Sequence, residues 1–90
     1  MKEVQRAPVA HQRKASRTDF QAIISGEKSF QVADKNDEYQ VGDRLLLKEW
    51  DPMFEFYTGR EADLDITFIE TPCVGLPDSM LVMAIRMNGD

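Results

Sequence analysis

One cysteine, one histidine and one tryptophan are all this chain has of each: Cys73, His11 and Trp50. A single cysteine excludes an internal disulfide framework and fits a reducing compartment. His11 and Cys73 stand far apart, without the clustered spacing of a zinc site, and a Ser-His-Asp triad would rest on His11 alone. No apolar run approaches the ~20 residues needed to span a membrane, and residues 1–6 lack a signal peptide's hydrophobic region. There is no glycine-rich phosphate loop, no internal repeat and no linker. The expectation is a cytoplasmic protein with no cofactor, no metal and no membrane contact.

What is present is charge, unevenly spread. The 90 residues carry a net charge of −5. Residues 1–28 hold six Lys/Arg against three acids, whereas residues 29–90 hold five against thirteen. Phosphate contacts supply most non-specific nucleic-acid affinity, so an acidic chain is unsuited to coating a duplex. A polarised chain can still present one basic face to a single exposed base or a small nucleotide.

Length allows one small domain. Residues 1–9, broken by Pro8, read as an N-terminal arm, and residues 10–90 as a single domain. Ala10 to Ala15 reads as a short strand. Ser16 is a helix N-cap, with Asp19 three residues on to return the bond in a capping box. Phe20, Ile23 and Ile24 then form one helical face, and Gly26 ends the helix. Lys28 to Ala33 alternates as a half-buried strand, with Lys28 in the turn after Gly26 if it is to share a cleft with Gln31. Asp34 to Glu38 is a polar loop, and Gly42-Asp43 a turn into the strand Arg44 to Trp50. Asp51 to Tyr57, with a proline and three aromatics, reads as a packed loop, and Thr58-Gly59-Arg60 as a turn. Glu61 to Glu70 alternates cleanly, with Leu64, Ile66 and Phe68 inward and Asp63 and Asp65 on a solvated edge that resists strand association. Thr71 to Asp78 is a loop, and Ser79 to Met87 a strand covered on both sides.

One polar set remains around Gly26–Trp50 and Tyr57–Arg60. Lys28 is a cation at a helix–strand junction, Gln31 offers an amide, and Lys35 and Asn36 lie in the following loop. Trp50, Tyr57 and Arg60 supply a stacking plane and a cation, or else the two aromatics are core. A pocket for a nucleobase needs an aromatic or guanidinium face, an amide for the base edge and a cation for phosphate. Ordinary surface polarity is the competing reading of the same residues.

The order His-x-x-Lys (His11, Lys14), Phe-x-Ala-Ile-x-x-Gly-x-Lys-x-Phe (Phe20 to Phe30), Tyr-x-Val-Gly-Asp-x-Leu-x-Leu-x-Glu-Trp-Asp-Pro (Tyr39 to Pro52), Tyr-Thr-Gly-Arg-Glu (Tyr57 to Glu61) and Ile-Thr-Phe-Ile (Ile66 to Ile69) resembles the ASCH domains of the PUA-like superfamily. Within that superfamily it is most similar to a small, uncharacterised bacterial and phage branch. The resemblance runs from His11 to Met87. It implies an α+β, PUA-like β-barrel of about five strands with one or two flanking helices, and a cleft facing the Gly-x-Lys-x-Phe segment. Domains of this type are linked to RNA binding. Some relatives are amidohydrolases on an acetylated cytidine, with a lysine, a threonine three residues on, and a glutamate. Lys28 matches the lysine, but Gln31 stands where the threonine would be, and an amide is no nucleophile. Against the branch's Phe-Glu-x-Arg-Lys-Asn-Asp, Gln31 replaces the glutamate and Ala33 the arginine. Arg17 stands where a proline precedes the helix.

The function this implies is a non-catalytic binding module for RNA or a nucleotide. Lys28 and Arg60 would meet phosphate or carbonyl oxygens, with Lys35 beside them, and Gln31 and Asn36 would meet a base edge. Trp50 or Tyr57 would stack. Two rivals share the sequence: an amidohydrolase on a modified cytidine, with Thr58 or Ser29 as replacement hydroxyl, and a module that binds a protein partner through its acidic face.

Overall fold

The computed structural model describes residues 7–88, so the arm's residues 1–6 lie outside the described residues. Five strands and one helix are arranged as β1 (Ala10–Ala15), α1 (Arg17–Ile24), β2 (Phe30–Asp34), β3 (Arg44–Asp51), β4 (Phe56–Glu70) and β5 (Met80–Met87). They form one sheet in the order β1-β3-β4-β5-β2. The β1–β3 pair is parallel and the other three are antiparallel. The sheet curls into a half-barrel. Its edge strands approach closely enough for the Arg13 guanidinium of β1 to donate to the Val32 carbonyl of β2 at 3.1 Å.

Helix α1 plugs the concave side because its apolar face matches the 3.6-residue period. Phe20 and Ile23 are buried there against Leu45 and Leu47 of β3, Ala62, Leu64 and Ile66 of β4, and Leu81, Met83 and Ile85 of β5. The Ser16 hydroxyl accepts the Asp19 N–H at 3.2 Å, which is the expected N-cap. The expected return bond of a capping box gives way to other partners, since both Asp19 oxygens are engaged by Lys28 and Gln31. The chain leaves the helix through Gly26, at φ +86°, and Lys28 N donates back to Ala22 O at 2.9 Å. Lys28 therefore belongs to the helix-ending turn. The strand starts two residues later, which frees Lys28 from the two-residue alternation that would put it opposite Gln31.

Other expectations need correction. Thr58, Gly59 and Arg60 are not a turn but part of the long β4, where Gly59, at φ +96°, accommodates a register shift against β3 between Lys48 and Trp50. A second shift, between Ile66 and Phe68 against β5, turns Phe68 outward. Asp63 and Asp65 are not on an edge strand, because β4 is central in the sheet. The segment between β3 and β4 is not packed: Met53 and Phe54 are 81% and 71% exposed. The polar loop after β2 contains a short 3-10 turn, Lys35–Asp37, with Asp34 accepting the Asn36 N–H at 2.8 Å.

Buried Asp43 ties the start of β1 to the turn before β3. It accepts from Val9 N at 3.1 Å and Gln40 N at 3.1 Å, and lies 2.8 Å from His11 Nε2. His11 in turn packs on Tyr39, whose phenol is pushed up from its ordinary range by burial. No helix among the described residues is long and apolar enough to cross a membrane.

Candidate functional site

The inner face of β3 carries Leu45, Leu47, Glu49 and Asp51, all buried. The alternation that builds the core thus continues into two carboxylates. Burying a carboxylate is costly unless it is paired and hydrogen-bonded. Here the pairing is extensive. Glu49, 1% exposed, accepts the Thr58 hydroxyl at 2.6 Å on Oε1 and Arg60 Nη1 at 3.4 Å on Oε2. Arg17 Nη1 lies 3.9 Å from Glu49 Oε1, and Arg17 Nη2 donates to Asp51 Oδ2 at 3.2 Å. Asp51 Oδ1 accepts the N–H groups of Met53 and Phe54 at 2.9 and 3.2 Å. These bonds hold the Asp51 carboxyl below its ordinary value, the Phe54 N–H contributing most.

The first turn of α1 joins this acid pair to a second polar group. Arg17 reaches Glu49 and Asp51. Two residues on, Asp19 receives Lys28 Nζ on Oδ1 and Gln31 Nε2 on Oδ2, the latter at 3.1 Å. Phe20, next in sequence, is buried beneath Arg60, whose guanidinium carbon lies 5.0 Å from the ring centroid. Three cations (Arg17, Lys28, Arg60) and three acids (Asp19, Glu49, Asp51) therefore surround one helical turn. Their charges balance. The side chains of Arg17 and Arg60 are about half exposed although their guanidiniums are anchored by buried acids, which restrains their orientation.

The eight residues singled out from the sequence separate into three groups. Lys28 and Gln31 meet at Asp19, and Thr58 and Arg60 meet at Glu49, so four of them belong to the site around the first turn of α1. Trp50 and Tyr57 are neither core nor part of that group. They pair edge-to-face at 4.9 Å on the convex side of the β3–β4 hairpin, on the opposite parity from Glu49 and Thr58. Lys35 and Asn36 are exposed beyond the other end of β2. The sequence reading passed over Arg17, Asp19, Glu49 and Asp51 as site members. The signal for the last two was available in the Leu45-Leu47-Glu49-Asp51 parity, which puts two acids on a core-facing series.

A groove of about 350 Å³ lies on the other side of Lys28, between the end of α1 and strands β4 and β5. Its lining is mainly apolar, with Ile23, Ile24, Leu64, Ile85 and Met87, and Lys28 is the one residue it shares with the polar site. The convergent hydrogen-bonding chemistry lies at the first turn of α1 and not in this groove. Among the described residues no group of His, Cys, Asp and Glu is placed to hold a metal ion.

Fold and site together define a small curled-sheet domain with a charge-balanced polar site at the start of its one helix. The family model described as a domain of unknown function, DUF3850, matches residues 10–85, and the chain belongs to that family. A comparison with curated proteins gives no match.

Proposed function

We propose that this chain is a non-catalytic binding module of the PUA-like, ASCH type that takes one base of an RNA, or a free nucleotide, at the first turn of α1. The observation that carries this reading is that Arg17 and Arg60 are both held by buried Glu49 and yet about half exposed. A guanidinium anchored from behind offers a flat face and fixed donors, the two features that stack and orient a nucleobase. Lys28, at the rim beside Gln31, adds a donor for a carbonyl or phosphate oxygen. Because three acids balance the three cations, recognition falls on the base and its edge more than on accumulated phosphate charge. Binding should then depend weakly on salt.

The test is a titration of mononucleotides and short RNAs against wild type and the Arg60→Ala, Lys28→Ala and Arg44→Ala variants. Arg44 is a fair control, since it pairs with Asp63 on the convex face. Loss of a charge-assisted contact predicts about ten- to a hundredfold weaker binding for the first two and little change for the third. Equal losses in all three would reduce the contact to diffuse electrostatics.

A second reading has one observation in its favour. The Thr58 hydroxyl stands 2.6 Å from the buried Glu49 carboxylate, a nucleophile-and-base pairing compatible with deacylating a modified cytidine. Turnover of acetylated cytidine that is abolished by Thr58→Ala would favour it over binding alone. Recognition of a protein through the acidic face has less support, because Asp63 and Glu61 are already paired with Arg44 and Lys48.

A further inference from the structure

Strand β1 flanks β3 only as far as Glu49, and β5 flanks β4 only from Leu64 onward. From Trp50 to Tyr57 the chain is therefore a two-stranded ribbon, with no third strand on either side among the described residues. Isolated ribbons are marginal in water, and exposed apolar side chains make them more so. This one nevertheless exposes Met53, Phe54, Phe56 and Tyr57 together. Phe54 and Phe56 lie 6.5 Å apart between ring centroids, and Trp50 and Tyr57 meet 4.9 Å apart. Two ammonium groups attend the same rings: Lys14 Nζ lies 4.0 Å from the Trp50 ring centroid and Lys48 Nζ 5.0 Å from that of Tyr57. Lys48 leans toward Glu61 at 4.0 Å, but Lys14 has no carboxylate partner among the described residues.

Aromatic faces interleaved with cations suit single-stranded nucleic acid, because every base has a face to stack and every linkage an anion to meet a lysine. An apolar protein groove would match the rings but would bury Lys14 unpaired unless it brought its own acid. The ribbon also touches the site at the first turn of α1. Trp50 follows Glu49 in β3 and Tyr57 precedes Thr58 in β4, while Phe56 lies across from Asp51, so one hairpin presents the polar site and Phe56 on its concave face, Trp50 and Tyr57 on its convex face and Phe54 at its tip.

We infer that the β3–β4 ribbon is a stacking platform for the nucleotides flanking the base held at α1, and that the ligand is a single-stranded nucleic acid several nucleotides long. The inference rests on the nucleotide-binding reading above. On it, the exposed rings lengthen the binding footprint beyond one nucleotide and supply affinity without a basic surface, which suits an acidic chain.

The experiment is fluorescence anisotropy with a labelled uridine dodecamer, alongside equilibrium dialysis of uridine monophosphate. Both are run on wild type, the Phe54→Ala/Phe56→Ala double variant, Lys14→Ala and Arg60→Ala. Because Phe54 and Phe56 are exposed, the double variant should keep the wild-type melting temperature. It should lose about tenfold or more on the dodecamer while binding the monophosphate unchanged. Lys14→Ala should weaken the dodecamer alone, and Arg60→Ala should weaken both ligands. A double variant that binds the dodecamer like wild type overturns the platform, and retained monophosphate binding would then leave the α1 site standing. Tip-dependent dodecamer binding without monophosphate binding supports the platform and overturns the α1 site. A wild type that binds neither ligand, or that self-associates through Phe54 and Phe56, overturns the platform in favour of a protein surface.

Discussion

Gln31 donates its side-chain amide to Asp19 Oδ2 at 3.1 Å, so the first turn of α1 is bonded to the inner face of an edge strand. Lys28 occupies the other oxygen of the same carboxylate. One acid thereby fixes the helix start, the turn after the helix and the strand that follows. Gln31 is buried, which makes the bond more consequential for the amide than for the partly exposed Lys28.

Asp19→Ala should therefore destabilise the fold mainly through Gln31. A buried donor left without an acceptor costs about 1–3 kcal/mol. For a domain of this size that lowers the melting temperature by roughly 4–8 °C per kcal/mol. Replacing the stranded amide as well, in Asp19→Ala/Gln31→Leu, should recover part of the loss. Thermal melts of the two single variants and the double variant close the cycle, and strict additivity would mean that the two side chains are not coupled.

Glu49 separates stability from binding. Its partners Arg17 and Arg60 are about half exposed and can be solvated once the acid is removed, while a leucine fills much of its volume. Glu49→Leu should accordingly shift stability by no more than about 1–2 kcal/mol, the Thr58 hydroxyl being the main group left short of a partner. On the proposed nucleotide-binding reading, affinity should fall about tenfold or more, because the guanidinium of Arg60 would lose its anchor. Calorimetry and ligand titration on the same sample measure both. Unchanged affinity in a folded variant would mean that Glu49 does not position the site.

Gly42 sits at φ +98°, with open space where a Cβ would point, so a substitution there is resisted by backbone conformation and not by crowding. Gly42 N also donates to Ile66 O at 2.9 Å, which fixes the turn against the core of β4. Gly42→Val should cost about 1–3 kcal/mol, since β-branched residues strongly disfavour this region. Gly42→Asn should cost less, because asparagine tolerates left-handed backbone. Equal melting temperatures for the two variants would contradict the conformational argument.

These positions also mark what was legible in the sequence. The bounds of β1, the Ser16 cap, the Phe20/Ile23 face and the Leu45/Leu47 face follow from local rules, since each depends on neighbours within a turn or a strand. Glu49 and Asp51 share the parity of those leucines, yet charge at inward positions reads as the end of a core. What makes them tenable is Arg17, more than thirty positions earlier, and no local pattern records a partner at that distance. Gly59 illustrates the opposite error. A glycine at positive φ reads as a turn, but the same conformation inside a long strand is a bulge, and only pairing with β3 distinguishes the two. Phe68 departs from the local alternation for a related reason, because the register shift against β5 resets it.

Acid should act on this fold through Asp51. Its carboxyl is held below the ordinary value of 3.8, with the Phe54 N–H as the largest cause; burial opposes the shift, and Arg17 and the Met53 N–H add to it. A carboxylate whose folded-state value is depressed contributes stability that is fully present above the unfolded value and is lost as pH falls through the folded one. The advantage of wild type over Asp51→Asn should therefore be greatest at neutral pH, begin to shrink as pH falls through 3.8, where the unfolded-state carboxyl takes up its proton while the native one stays ionised, and be gone once pH has fallen through the lower folded-state value. Asparagine can still accept the Met53 and Phe54 N–H groups, so the difference isolates the charge and its bond with Arg17. Melting temperatures of both proteins across that range give the result. A gap independent of pH would show that the charge of Asp51 contributes nothing, and that its carboxylate serves only to shape the turn at Met53 and Phe54.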